Sequence, residues 1–181
     1  MERSVSVGQR VDSDRQLVRL LQIGIVLEEV VEARATKHRQ SINTTADTTV
    51  PDDTTHGNTD NDDNLNTLLI DATKESARHR DQLEKLIDML DAESIAFDTV
   101  ETLVETQYGR TELEDFDDVL YDQLCNEETA YKFYDDLLTA IQASDVSFSI
   151  DRERLLDVLK RLKAEEAEGV EAVTNLMEQR K

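Results

Sequence analysis

Four stretches of this sequence carry apolar residues three and four apart, and only five glycines and one proline are present to interrupt them. Side chains at that spacing share one face of an α-helix, so the chain must fold by laying long helical faces together. The first stretch starts at the capping residues Asp12 and Ser13 and runs to about Ser41, on the line Leu17, Leu20, Leu21, Gly24, Leu27, Val31 and Ala35. The second runs from about Leu65 to Leu90, the third from about Glu112 to Ala143, and the fourth from Arg152 almost to the last residue. At about 1.5 Å per residue each helix is roughly 40 Å long. The expected fold is an all-α four-helix bundle, a single domain over residues 1–181.

The connections carry their own signals. Residues 43–64 are rich in Thr, Asn and Asp without a period, which predicts a mobile loop. Residues 91–111 hold the amphipathic run "FDTVETLVETQY" and are long enough to cross the bundle, which lets the second and third helices run parallel. The run "SDVSFSID" breaks the pattern between the third and fourth helices.

Each helix has polar or missing side chains on its core line near mid-length. In the first it is Glu28, seven after Leu21 and seven before Ala35; in the second, Ser76 and His79. In the third it is Glu127, seven after Leu120; in the fourth, Glu166 and Gly169. A lone glutamate on such a line is ordinarily a boundary residue that reaches solvent. A lone histidine there is ordinarily a satisfied core residue. Four helices doing this at one level instead match a carboxylate-rich metal site between facing helices, since a buried carboxylate is costly unless it is paired or binds a metal. There is also an internal echo: "LEEVVEARA" pairs with "NEETAYKFY", and "KESARHRDQL" with "AEEAEGVEAV". Two helical hairpins related by such a repeat would build a pseudo-twofold site.

The runs "EETAYKFYDDL" and "EEAEGVEAV" resemble those of the ferritin-like superfamily on its rubrerythrin side, over about Asp12 to Gln179 apart from residues 43–64. The resemblance implies a ferritin-like bundle with a long crossover between the second and third helices. It also implies two irons held by one Glu from each of the first and third helices and a Glu-x-x-His pair from each of the others. On this sequence Glu28 and Glu127 match the single glutamates. His79 matches one histidine, with Ser76 at its glutamate position, and Glu166 matches one glutamate, with Gly169 at its histidine position. Four of six ligand positions therefore remain, enough for a single metal between Glu28, His79 and Glu166, with iron the expected ion and a di-iron centre disfavoured. Glu75, one turn before His79, is an additional candidate. Tyr131 and Tyr134 are placed either to hydrogen-bond these carboxylates or to fill the core. His38 and His56 have no helical partners placed for a site.

Charge narrows the partners. The chain has 20 Lys and Arg against 41 Asp and Glu, a net charge of −21. That field repels phosphate, which argues against nucleic acid and anionic membranes. With few lysines, it points to a halophilic protein of the haloarchaeal kind, in which molar salt screens self-repulsion; an acidic mesophilic protein is the alternative. No apolar run suits a signal peptide or a membrane span, so a cytoplasmic location is expected. Cys125 is alone and forms no internal disulfide. Apolar residues beyond one stripe (Val18, Ile23, Ile25, Val26 and Val30, with Val119, Phe133 and Leu137) predict a homodimer through the first helix. No phosphate loop, zinc spacing or nucleophile motif identifies a small-molecule substrate. Two functions follow: a metal-binding redox protein handling iron, oxygen or peroxide, or a metal-free bundle acting as a structural or interaction module.

Overall fold

The computed structural model of the chain describes residue 8 and residues 10–48, 59–96 and 116–179. Four α-helices hold most of them: α1 (Asp14–Thr48), α2 (Thr59–Asp88), α3 (Phe116–Gln142) and α4 (Arg152–Glu178), with no strand among the described residues. Ser13 caps α1: its Oγ accepts the Gln16 N–H at 3.2 Å, while Gln16 Oε1 reaches back to the Asp12 N–H at 2.8 Å. Asp151 caps α4 by accepting the Arg154 N–H at 2.8 Å. The "SDVSFSID" break is a tight connection held by the Arg152 guanidinium, which donates to the carbonyls of Ile141, Ser144 and Val146.

Both polar margins of residues 43–64 differ from the expected loop, because α1 continues to Thr48 and α2 begins at Thr59. A helix already nucleated propagates cheaply, and Thr, Asn and Asp oppose it only weakly. Residues 49–58, and the run "FDTVETLVETQY" at 97–108, lie outside the described residues.

The helices form two antiparallel hairpins, α1 with α2 and α3 with α4, packed so that α1 faces α3 and α2 faces α4. The Val11 N–H, just before α1, donates to Ala140 O at the end of α3, while Arg34, far along α1, pairs with Asp122 near the start of α3. So α1 and α3 are antiparallel, and α2 and α3 run parallel. The chain between Asp88 and Phe116 thus joins opposite ends of the bundle. Gly24 sets the closeness of α1 to its neighbours: a Cβ there would stand 3.1 Å from both Leu83 Cδ1 and Phe133 Cε1.

Among the described residues the apolar interior has two main pieces. One fills the end holding the start of α1, with Leu17, Leu21, Leu86, Ile141, Leu155 and Leu159; the other fills the opposite end, with Ala35, Leu65, Leu69, Leu120, Val173 and Leu176. Between them lies a layer of buried polar groups. The apolar positions surplus to one stripe are largely buried within the chain: Val18, Ile25 and Val26 of α1, and Val119, Phe133 and Leu137 of α3. Ile95, beyond α2, packs over Val26, its backbone held from both sides by the Gln22 amide at 2.7 and 3.1 Å. Ile23 and Val30, the rest of that second stripe, are half-buried. The exposed large apolar side chains among the described residues are Met89 and Tyr121. No helix among them is long and apolar enough to cross a membrane.

Candidate metal centre

The polar layer holds Glu28 from α1, His79 from α2, Glu127 from α3 and Glu166 from α4, only 1, 0, 7 and 4% exposed. Each stands there because it occupies the core line of its own helix, one or two turns from apolar residues on either side. Ser76 is buried in the same layer.

His79 is the hub. Its Nδ1 lies 2.9 Å from Glu166 Oε1 and 3.1 Å from Glu28 Oε1, and its Nε2 lies 2.8 Å from Glu165 Oε2 and 3.7 Å from Glu75 Oε1. Tyr134 donates its phenol to Glu28 Oε1 at 2.5 Å. Burial works against a charged imidazole. Hydrogen bonds to Glu166 and Glu28, and the charges of both, outweigh it and hold His79 up to about 11. Burial, then the Glu28 charge, pushes Glu166 up to about 10 against its bond to His79. Burial also lifts Glu127 to about 7 and the Tyr134 phenol well above its ordinary value. One imidazole among three buried carboxyl groups leaves negative charge to be neutralised, by protons or by a cation.

Ligand atoms of Glu28, His79 and Glu166 all lie within 4.8 Å of one another, and so do those of Glu75, His79 and Glu165. The first triad is buried; the second is half-exposed and shared with Arg78, whose guanidinium is 3.0 Å from Glu165 Oε2. Glu127 stands beside the inner triad in the same buried layer, receiving the Gln123 amide at 2.6 Å. Its carboxylate occupies the space over Gly169: a Cβ there would come within 2.8 Å of Glu127 Cδ. The space that a side chain at 169 would take is thus filled by a neighbour's carboxylate.

The arrangement differs from the expectations in three places. Glu165, adjacent to Glu166 and unassigned by sequence, reaches the outer nitrogen of His79. Tyr131 contacts no carboxylate of the site; the Lys163 ammonium lies over its ring at 5.3 Å. His38 has a partner on another helix, with Nε2 2.9 Å from Asp122 Oδ2, because the antiparallel α3 brings Asp122 alongside this part of α1. His56 lies outside the described residues.

Comparison with known protein families, with curated proteins and with solved structures finds no match for this chain. The ferritin-like resemblance therefore rests on the residues quoted above.

Proposed function

We propose that the polar layer binds one divalent transition-metal ion, iron being the expected one, between Glu28, His79 and Glu166, within a bundle of ferritin-like, rubrerythrin-related descent. The observation that carries this reading is the convergence of three ligand atoms within 4.8 Å in a dry interior where three carboxyl groups meet a single imidazole. The donors fit the ion: two carboxylate oxygens and an imidazole nitrogen suit Fe(II), Mn(II) or Zn(II). Each ligand has an outer partner that fixes its direction. Tyr134 orients Glu28, and Glu165 takes the His79 Nε2 proton's hydrogen bond, leaving Nδ1 to face inward once it gives up its own proton. Bound iron would supply redox chemistry towards oxygen or peroxide. The chain's own contribution is to hold the ligands rigidly and keep water out.

A second reading has its own support. Every one of the four groups finds a hydrogen-bond partner inside the chain, so the layer is also self-consistent as a proton-sharing network in a metal-free interaction module. Elemental analysis of protein purified in high salt without a histidine tag separates the two. About one metal per chain is expected, abolished by His79→Ala. A native protein that neither retains metal nor takes it up on titration would leave the metal-free reading standing.

A further inference from the structure

A cleft of about 430 Å³ opens between α2 and α4, beside Gly169. Asn64 and Asn175 are exposed on its lining, Leu68 and Val173 form apolar walls, and the buried Glu127 lies at its floor, with the part-exposed Glu75 also lining it. No basic residue lines it. Lys74 and Arg78 are each drawn to a lining carboxylate, Asp71 at 3.9 Å and Glu75 at 3.7 Å. An acidic cleft with low-dielectric walls concentrates cations at its floor.

Glu28, His79 and Glu166 are themselves sealed, so an ion needs a path to them. Glu127 is the group that belongs to both places: it lines the cleft, and its buried carboxylate stands over Gly169, one helical turn from Glu166 on α4. The bare backbone of Gly169 leaves room for that carboxylate at the floor. A cleft of similar size between α3 and α4 offers no equivalent, since Lys160 and Lys163 line it and none of the four buried ligand candidates does.

We propose that the α2–α4 cleft is the route by which a divalent cation enters the bundle, with Glu127 as the carboxylate that passes it inward to Glu166. This rests on the metal reading above. The test is stopped-flow loading of the apoprotein with Co(II) in molar salt, followed by the visible absorbance of the bound ion. Ala172→Phe and Leu68→Trp narrow the cleft from two walls, and Ala167→Phe narrows the other cleft as a control. All three should keep native helicity and the native Co(II) stoichiometry. The first two should load about tenfold more slowly, equivalent to a barrier higher by about 1.4 kcal/mol, and the control at the native rate. Native loading rates in both narrowed variants, or equal slowing in the control, overturn the route and leave the metal reading intact. A native protein that binds no Co(II) at equilibrium overturns both.

Discussion

A methyl group on residue 169 would press against the Glu127 carboxylate, which the Gln123 amide holds at 2.6 Å. Alanine ordinarily stabilises a helix over glycine by about 1 kcal/mol. Here that gain is opposed by displacement of a buried carboxylate, each lost hydrogen bond costing about 1 kcal/mol. Gly169→Ala should therefore be neutral or destabilising in the native protein, yet stabilising by up to about 1 kcal/mol in a Glu127→Ala background. Urea midpoints of the four proteins measure this coupling, and strict additivity would contradict it. The two positions were each legible in sequence as core-line anomalies. Their mutual occupation was not, because it depends on how α3 and α4 are rotated about their axes. Glu165 was hidden for another reason: neighbours on a helix point about 100° apart, and both Glu165 and Glu166 reach His79 only because an imidazole has nitrogens on two sides.

Helices are what the apolar period displays best, and the start of α1 and both ends of the α3–α4 turn stand where capping and break signals lie. The other end of α1 carries no stop signal, which is why its last turns were not visible; the role of His38 was hidden because its partner, Asp122, depends on how α3 packs against α1. Near that end Asp122 ties α3 to α1, accepting Arg34 at 2.8 Å and bonding His38 at 2.9 Å. Burial alone would raise its carboxyl pKa; the His38 hydrogen bond and the Arg34 charge overcome this and lower it. A lowered carboxyl pKa contributes stability that is present above the ordinary carboxylate range and is lost as pH falls through the lowered value. Asp122→Asn should thus cost about 1–3 kcal/mol at neutral pH. The deficit should shrink as pH drops below about 4. Denaturant midpoints across that range decide the matter, and a deficit independent of pH would mean the pair contributes nothing electrostatically.

At the scale of the whole molecule, a net charge of −21 sits on a bundle held together by thin apolar faces. The Debye length grows from about 3 Å in molar salt to over 10 Å below about 0.1 M. Dialysis from molar salt to roughly 50 mM should therefore lower both helicity and the melting midpoint, as unscreened repulsion acts across the surface. Identical melting at both salts would show that the acidity serves another end. The division of the apolar interior has a further consequence, for cooperativity. The segment around Leu65, Leu120 and Val173 holds eight buried apolar residues among those described, against twenty-one in the segment around Leu21, Phe133 and Leu155. The smaller segment should open on its own while the larger stays folded, a partial unfolding of the kind that native-state amide exchange resolves. Amides flanking Leu69 and Val173 should exchange at a lower free energy than those flanking Leu86 and Ile141. An ion held at the boundary would couple the two halves, drawing their exchange towards one common value.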